Sequence, residues 1–408
     1  MFNGYRCTQC GEMYPPDKPV YLCPQDGAVL DVTYAWSQLE PEQIQRSDER
    51  SMWRYLPLLP VADPGLNHTP LRSVGWTPIY DMAGIAQELG IRQLWLKDEG
   101  ANPTASFKDR ASALVVARAA EIGASVTVTA STGNAGAALA GMAAAAKTSA
   151  VIFAPKTALP AKVAQLLVYG ARVFLIKGSY DDAVGLSQLA AEEFGWYCRN
   201  TGYNPFTIEG KKTAAFEIWE QLFADGQPPD AVFVPVGDGN IISGIHKGLR
   251  ELQGLGWLEQ IPAIYGVQAA GAASIANAFL SNSATIDGVK ANTLADGIAV
   301  DLPNDGYRAL RAVTETGGAY LKVSDTEILS AVQRLGLAGI FAEPAGAAAF
   351  AGLRKAVAQG QITADLRVLV LNTGSGLKDI GAALRAVGKA PVIEASIPAL
   401  KRAMEVID

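Results

Sequence analysis

Residues 125–154 have the sequence SVTVTASTGNAGAALAGMAAAAKTSAVIFA, and this stretch decides the fold class. The alternating Val and Thr of Ser125–Ala130 predict a strand, and the Ala-rich Gly133–Lys147 predicts a buried helix. Ala150–Ala154 then predicts a second strand. Because a strand, a helix and another strand in succession build a parallel sheet that helices cover, we predict an α/β protein.

The same alternation of short apolar strands and helices continues on both sides of this stretch. Further strands are predicted at Leu94–Lys97, Arg172–Lys177, Ala231–Val236, Ala263–Val267 and Arg367–Leu371. Further helices are predicted at Ser106–Gly123, Pro160–Gly170, Asp181–Phe194 and Ile241–Leu252, with another near Pro41–Arg50. The weakly patterned Gly202–Lys212 is predicted to carry the chain between two such sheets.

Composition narrows the class of protein. The chain has 408 residues, of which 49% are hydrophobic and 18% charged; this excludes a disordered chain and suggests two or three domains. The net charge of −6 argues against binding of nucleic acid. No apolar run reaches the roughly 20 residues that span a bilayer, so no membrane partner is expected.

Cysteine and histidine usage limits the chemistry. Four cysteines in so long a chain do not make a disulfide framework, and the N-terminus gives no targeting signal. A cytoplasmic location is therefore expected. The sequence has two histidines, His68 and His246. This small number argues against a histidine metal centre and against a Ser-His-Asp catalytic triad.

Residues 1–32 differ from the rest of the chain and are similar to a zinc ribbon. Cys7 and Cys10, a spacer, and then Cys23 and Asp26 reproduce the spacing of two Cys-x-x-Cys knuckles with Asp in the fourth position. Because Asp can ligate zinc, these four residues are candidate ligands of a structural zinc ion. The alternative is a degenerate ribbon that has lost its metal and kept its turns.

Two hydroxyl-rich loops precede predicted helices in the first half of the chain. The loop Asn102–Arg110 places Lys108 in the first turn of a helix, where the positive end of the helix dipole disfavours a cation. Lys108 is therefore either a solvated lysine paired with Asp109 or a lysine whose charge is lost in a Schiff base. The loop Ser131–Gly136 offers hydroxyls and backbone N–H groups at a helix N-terminus, which suit a carboxylate.

Two glycine-rich loops follow predicted strands in the second half. Gly237–Ile241 is either a phosphate cradle or a tight turn, since it lacks both the Walker A Lys-Ser/Thr and the dinucleotide G-x-G-x-x-G. Asn372–Asp379 places the Thr373 hydroxyl at a strand end, where it can meet a ring nitrogen or another acceptor. Ligands of open α/β sheets bind beyond the carboxyl ends of the strands, so these loops are the candidate site.

In this order the four loops resemble those of the pyridoxal-phosphate enzymes of the tryptophan-synthase-β-like fold, and within that fold those of the threonine synthase family. The resemblance covers roughly Gly75 to Val387, and its most specific block is Asn102-Pro-Thr-Ala-Ser-Phe-Lys-Asp-Arg110. Further matching pieces are Gly75–Pro78, Lys97–Glu99, Asn204–Thr213 and Glu343–Ala345. It implies a two-lobed, open parallel-sheet fold, with a large cofactor lobe of residues 33–95 and 216–408 and a small substrate lobe of residues 96–215.

The resemblance also implies a role for each loop residue. Lys108 would hold pyridoxal 5'-phosphate as a Schiff base and act as general base, and Phe107 would flank the cofactor ring. Asn134 would bond the phenolic oxygen, Thr373 would meet the pyridine nitrogen, and Glu343 would lie near the ring. The cofactor phosphate would be held by Gly237, Asp238, Gly239, Asn240 and Ile241. The substrate carboxylate would be held by Ser131, Thr132 and Gly133.

The sequence departs from the family pattern at two positions. Ala105 stands where the family usually has glycine, which crowds the substrate side or demands a different backbone angle. Thr207 stands where an arginine of the family grips the substrate phosphate, and threonine cannot replace a bidentate guanidinium. Lys211 or Lys212 is the candidate for the missing positive charge.

The activity implied is that of a lyase converting O-phospho-L-homoserine and water to L-threonine and phosphate. The alternatives within the fold are a serine/threonine ammonia-lyase, which needs no phosphate site, and a cysteate-synthase-like β-replacement on O-phosphoserine. A binding protein with an inactive enzyme fold is opposed by the presence of Lys108, Asn134 and Thr373. A dehydrogenase is opposed by the missing dinucleotide fingerprint. The partner expected is a small amino-acid substrate, and the resemblance implies a homodimer.

Overall fold

The computed structural model describes residues 2–36, 39–158, 160–223, 226 and 228–404. Strands β1 to β13 are, in order, Phe2–Cys7, Met13–Tyr14, Leu30–Tyr34, Ile79–Asp81, Gln93–Asp98, Val126–Ala130, Ser149–Pro155, Arg172–Ile176, Tyr197–Cys198, Ala231–Pro235, Ala263–Ala269, Tyr320–Val323 and Arg367–Asn372. All the strands predicted from the sequence are present, with ends that differ by two residues or fewer.

Helices follow most of these strands. Helices α1 to α14 are, in order, Pro41–Gln45, Ala83–Leu89, Lys108–Glu121, Asn134–Ala145, Pro160–Val168, Tyr180–Phe194, Phe206–Ile218, Asn240–Gly254, Ser274–Leu280, Gly306–Glu315, Asp325–Gly336, Pro344–Ala358, Ile380–Val387 and Ile397–Met404. Short 3₁₀ turns lie at Met52–Leu58, Glu99–Ala101, Ala270–Ala272, Asp296–Ile298 and Gly376–Lys378, and a π turn at Trp219–Phe223 extends α7.

Two largely parallel sheets carry the fold, which confirms the α/β prediction. The larger sheet has six strands in the order β12-β11-β10-β13-β5-β4, and β4 alone among these six is antiparallel to its neighbour. The smaller sheet has four parallel strands in the order β8-β7-β6-β9. All four lie between β5 and β10 in the chain, so the smaller unit is inserted into the larger one.

Alternate residues of the central strands pack into apolar cores on opposite faces of the larger sheet. Leu94 and Leu96 of β5 belong to a core that includes residues of α11 and α12. Trp95, which lies between them, belongs to a second core with residues of α7 and α8. Because successive strand residues point to opposite faces, helices must cover both sides of this sheet.

The prediction for Gly202–Lys212 is only partly right. From Phe206 onwards the chain forms α7, a helix of 13 residues that are all buried. A helix without an exposed polar face has no amphipathic period, which explains the weak sequence pattern. Helix α7 packs against both α3 and α8, and it therefore connects the inserted unit to the larger sheet.

Two of the predicted lobe boundaries fall inside regular elements. Residue 96 lies within β5, which pairs with β13 and β4 of the larger sheet, and residue 215 lies within α7. The smaller sheet itself spans residues 126 to 198. The strands of the smaller sheet therefore all lie after β5 in the chain.

The N-terminal strands form a separate antiparallel sheet in the order β2-β1-β3, which continues to Tyr34 and so passes the predicted end at residue 32. Phe2 and Tyr5 lie edge-on to Phe206, with ring centroids 5.7 and 6.4 Å apart. The sheet thus rests on the first turn of α7. Among the helices that the structure describes, none combines the length and the apolar character that crossing a membrane requires.

Candidate active site

Lys108 begins α3, at the point where the first and the fourth loop meet. The Phe107 N–H donates to the Thr373 carbonyl at 2.9 Å, and Ser106 pairs with Gly374 in an isolated β-bridge. Burial, and then the charge of Arg199, lowers the pKa of Lys108 to about 8. Such a lysine is partly neutral near physiological pH, as a nucleophilic or basic amine must be.

Asp109 anchors the first loop and does not serve as a surface partner for Lys108. It accepts hydrogen bonds from the Thr104 N–H, at 2.6 Å, and from the Thr104 hydroxyl. Burial raises the pKa of Asp109 to about 6. The alternative of a solvated Lys108–Asp109 pair therefore does not fit the structure.

Arg110 fixes the first turn of α3 by bonds to two carboxylates. It donates to Glu99 at 2.7 Å from Nε and from Nη2, and to Glu217 at 2.6 Å from Nη1 and 2.7 Å from Nη2. Lys97 Nζ lies 2.9 Å from a Glu217 oxygen. All four side chains are fully buried, so two acids and two bases balance each other beneath the site.

Asn134 and Glu343 join the second loop to the fourth. Asn134 Nδ2 donates to Glu343 Oε1 at 2.8 Å, and the Glu343 N–H donates to the Gly374 carbonyl at 3.0 Å. A Cβ on Gly374 would come within 2.3 Å of Glu343 Oε1, so glycine is required for this close approach. Burial raises the pKa of Glu343. These two hydrogen bonds place Asn134 and Glu343 close to Thr373, which immediately precedes Gly374.

The loop Gly237–Ile241 is a tight cradle at the start of α8. Gly239 has a φ of 92°, and a Cβ there would lie 2.7 Å from the Asp305 carbonyl oxygen. A Cβ on Gly237 would lie 2.8 Å from Ile298 Cα. Asp238 accepts the Asn304 N–H at 2.8 Å, and burial, helped by Asp305, raises its pKa to about 7. Backbone N–H groups that open a helix in this way suit a phosphate.

The loop Ser131–Gly133 lies at the carboxyl end of β6 and before α4. The Gly133 N–H donates to the Ser131 hydroxyl at 3.2 Å. Asn200, which follows β9, accepts hydrogen bonds from the Ala130 N–H and the Thr129 hydroxyl, both at 2.9 Å. The ends of β6 and β9 are therefore held side by side next to this loop.

The structure separates the two lysines proposed to replace the missing arginine. Lys211 Nζ donates to Asn240 Oδ1 at 2.6 Å, beside the phosphate cradle, and burial together with Lys108 and Arg199 lowers its pKa well below the usual value. Lys212 lies elsewhere, because its Nζ is 2.6 Å from Glu209 and 2.7 Å from Glu251. The sequence-based assignment of Lys212 to the substrate site is therefore not supported by its position.

The structure also shows the contacts or backbone angle of three further residues that the sequence singled out, namely Thr207, Phe107 and Ala105. The Thr207 hydroxyl donates to the Asn204 carbonyl at 2.8 Å and lies 3.4 Å from Asn240 Oδ1, the oxygen that also accepts from Lys211. The Phe107 ring is buried in the core of the larger sheet, with the Arg110 guanidinium 5.6 Å from its centroid. Ala105 has a φ of 64° and so keeps the left-handed backbone that glycine would adopt.

Arg199 is a further candidate site residue, which the sequence alone did not reveal. It follows β9 and is fully buried, and its charge acts on both Lys108 and Lys211. Burial lowers the pKa of Arg199 itself to about 10. The available signal was its place at the carboxyl end of a parallel strand, but β9 is only two residues long and Tyr197–Cys198 gave no recognisable pattern.

The four candidate metal ligands come together in the N-terminal sheet. One ligand atom from each of Cys7, Cys10, Cys23 and Asp26 lies within 4.8 Å of the others. Cys7 Sγ accepts N–H hydrogen bonds from Gln9 and Cys10, both at 3.4 Å. The three cysteines are free thiols, so the cluster is not a disulfide.

Comparison with known proteins defines the class of enzyme. The family described as "Pyridoxal-phosphate dependent enzyme" matches residues 71–374, and the chain belongs to it. A threonine synthase of Methanocaldococcus jannaschii is 40% identical over 409 residues, which cover 98% of this chain and 99% of that protein. A threonine synthase of Methanosarcina acetivorans is 38% identical and covers 98% of each chain. The chain therefore belongs to the threonine synthase family, and the predicted resemblance and cofactor are confirmed.

Solved structures agree with this fold. The processed form of threonine deaminase isoform 2 from Solanum lycopersicum matches with a TM-score of 0.67 and 22% identity, over 85% of this chain and 95% of that chain. At this identity the similarity shows the fold alone. It does not favour a deaminase over a synthase.

Proposed function

We propose that this protein is a lyase that converts O-phospho-L-homoserine and water to L-threonine and inorganic phosphate. The observation that carries the proposal is the 40% identity, over 98% of this chain, to the threonine synthase of Methanocaldococcus jannaschii. The buried Arg199 and Lys211 lie in the same region as Lys108 and would suit a second phosphate besides that of the cofactor. This favours the synthase over a serine/threonine ammonia-lyase, whose substrate has no phosphate.

The loops fit pyridoxal phosphate, the cofactor that the family implies. Its phosphate would lie in the cradle Gly237–Ile241, where Cβ atoms are excluded, and Lys108 would hold its aldehyde carbon covalently. Asn134 and Thr373 would face the ring oxygen and the ring nitrogen. The Ser106 hydroxyl, two residues before Lys108, is buried and has no hydrogen-bond partner among the described residues. A bound ligand would supply the partner that such a buried hydroxyl normally has. When bound, the cofactor supplies an electron sink for the charge that develops at the substrate Cα.

The side chains of the site would bind the substrate carboxylate, transfer protons and orient one another. Ser131, Thr132 and Gly133, at the positive end of α4, would bind the substrate carboxylate. Lys108 would take the proton from Cα and then one from Cβ, since its low pKa leaves part of it neutral and basic. Glu343 would orient Asn134 through their 2.8 Å hydrogen bond. Phosphate would leave from Cγ, the protons that Lys108 took would return to Cγ and Cα, and water would add at Cβ to give threonine.

Product analysis tests the proposal directly. The purified, cofactor-loaded protein should release phosphate and threonine in equal amounts from O-phosphohomoserine. Lys108→Ala should release neither, and it should also lose the cofactor absorbance that sodium borohydride reduction fixes to the wild-type chain. Formation of 2-oxobutanoate from threonine, without phosphate release, would establish an ammonia-lyase instead. Phosphate release from O-phosphoserine alone would establish a β-replacement enzyme.

We also propose that the N-terminal residues form a zinc ribbon, with Cys7, Cys10, Cys23 and Asp26 around one zinc ion. Three thiols and a carboxylate within 4.8 Å match the donor set and the size of a tetrahedral site. Protein produced with zinc should contain one zinc per chain by mass spectrometry. Cys10→Ser should lower that content, whereas Cys198→Ser, a buried cysteine outside the cluster, should not. A zinc-free wild-type protein would mean that the ribbon keeps only its turns.

The assembly and location of the protein are also proposals. We infer a homodimer, since Leu377, Ile380, Leu384 and Val387 form exposed apolar surface at and beside α13. A monomer mass in light scattering would contradict this. We infer a cytoplasmic location, because four cysteines in a chain of 408 residues do not make the disulfide framework that is typical of secreted proteins. The lobe division, with the inserted unit starting after β5 and bearing the carboxylate loop, should appear as separate regions of protection in hydrogen exchange.

A further inference from the structure

Arg199 reaches the candidate site from the end of β9. Its Nε donates to the Ser112 hydroxyl at 3.1 Å, and its Nη1 donates to the Thr201 hydroxyl at 2.6 Å. Ser112 lies one helical turn after Lys108 on α3, and residues four apart share one face of a helix. The guanidinium is therefore fixed in orientation on the face of α3 that carries Lys108.

The third nitrogen of this guanidinium, Nη2, is left without a protein partner. It is buried, and no residue in the part of the chain that the structure describes accepts a hydrogen bond from it. Nearly all buried polar groups are hydrogen-bonded, and an unbonded charged donor is strongly unfavourable. A buried donor without a partner, whose charge acts on the reactive lysine, indicates an acceptor on the ligand.

The charge of Arg199 is also uncompensated. Asp109 and Asp238 attract it, but neither forms an ion pair with it among the described residues. Burial raises the pKa of Asp238 to about 7, so this group is only partly charged near neutral pH, and Asp109 is bonded to the Thr104 N–H and hydroxyl instead of to Arg199. Lys211 adds a second buried basic group to the same region; burial, Lys108 and Arg199 lower its pKa, and an anion bound beside it would favour its charged form. The site therefore has positive charge available for an anion.

We propose that Arg199 binds the phosphate of the phosphorylated amino-acid substrate, with Lys211 as a second cation, and so replaces the arginine that is missing at position 207. This inference rests on the proposed function. The other anionic groups already have sites, because the glycine cradle suits the cofactor phosphate and Ser131–Gly133 suits the carboxylate. The substrate phosphate is the anion that remains, and a guanidinium with a free N–H edge matches its geometry.

A pair of unreactive ligands separates phosphate binding from carboxylate binding. The first is the phosphonate analogue of O-phosphohomoserine, in which a methylene replaces the ester oxygen, and the second is norvaline, which lacks the phosphonate. Calorimetry on the cofactor-loaded wild type should show much tighter binding of the phosphonate. Arg199→Gln should weaken phosphonate binding by about 10- to 100-fold, as expected for loss of one charged hydrogen bond, and leave norvaline unchanged.

Two further variants guard against indirect effects. Arg199→Lys keeps the charge and should lose less phosphonate affinity than Arg199→Gln. If the glutamine variant proves too unstable to purify, the lysine variant alone tests the inference, because it should weaken phosphonate binding and leave norvaline binding unchanged. Arg334→Gln removes an arginine from a surface pair with Glu88 and should change neither affinity. Apparent affinity for pyridoxal phosphate should be the same in all four proteins.

Each contrary result has a distinct meaning. Equal loss of both ligands in the Arg199 variants would assign the residue to the carboxylate or to the fold, and loss of cofactor affinity would assign it to the cofactor phosphate. Unchanged phosphonate binding in both Arg199 variants would also overturn the inference. A wild type that binds both ligands equally and releases no phosphate would refute the proposed function itself.

Discussion

Replacing Glu217 with glutamine tests the buried charge network under α3. The change leaves Arg110 and Lys97 with Glu99 as their one remaining carboxylate, so one buried positive charge is uncompensated. Burial alone would raise the pKa of Glu217, but Arg110 and Lys97 lower it from 4.5 to about 2. This difference in pKa corresponds to about 3 kcal/mol in favour of the charged form. Breaking a buried pair destabilises by roughly 3–5 kcal/mol, so we expect a loss of about 3 kcal/mol in unfolding free energy.

A double variant shows whether charge balance is the cause. Lys97→Met together with Glu217→Gln removes one charge of each sign and leaves the bidentate contact between Arg110 and Glu99. We expect the double variant to be less destabilised than the sum of the two single variants, by about 1–3 kcal/mol. Additive losses would mean that packing rather than charge dominates.

Urea unfolding at a series of pH values provides the measurement. The folded-state pKa of Glu217 lies below its ordinary value, so its stabilising effect is complete above pH 4.5 and disappears as the pH falls towards 2. The gap in stability between the wild type and Glu217→Gln should therefore narrow across that range. A gap that stays constant with pH, or a variant as stable as the wild type at pH 7, would refute the reasoning.

Three other substitutions have definite expectations. Gly239→Ala adds a Cβ 2.7 Å from the Asp305 carbonyl oxygen, at a residue whose φ is 92°. A fluorescence titration should therefore show pyridoxal phosphate binding at least about tenfold more weakly. The control is Gly185→Ala, where the new Cβ meets open space and binding should not change. Ala105→Gly relieves roughly 1–2 kcal/mol of left-handed strain against roughly 0.5–1 kcal/mol of glycine entropy, so the melting temperature should rise slightly or stay equal, and a clear fall would contradict this. Burial lowers the pKa of His246 to about 4, so His246→Asn should leave the pH–rate profile between pH 5 and 8 unchanged.

Much of the fold was predictable because its strands and helices have strong local patterns. Ser125–Ala130 and Gly133–Lys147 carry the period of a strand and the composition of a buried helix, and both formed as expected. The first and fourth loops were also recognisable, because Lys108 and Thr373 stand beside elements that follow from local sequence. These positions required no knowledge of distant contacts.

What the sequence could not predict depends on contacts between distant segments. Asn134 and Glu343 are 209 residues apart in the chain, and their hydrogen bond follows from the packing of the two sheets. Lys211 and Lys212 are neighbours, and which one enters the site depends on the rotation of the fully buried α7. Arg199 was missed because a burial that leaves one nitrogen without a partner has no local signature.

The N-terminal residues 2–34 contact both units of the protein, and this has a mechanical consequence. Tyr21 accepts a hydrogen bond from the Cys198 N–H at 2.9 Å, immediately before Arg199 at the end of the smaller sheet. Strand β3 is bonded to the larger unit, because the Arg308 side chain donates to Asp31 at 2.7 Å and the Lys247 side chain donates to the Val32 carbonyl at 3.1 Å. Because the N-terminal residues are hydrogen-bonded to both units, we expect them to restrict any movement of one unit relative to the other. Stronger bonding of the N-terminal residues to both units should therefore narrow the range of distances between the two units.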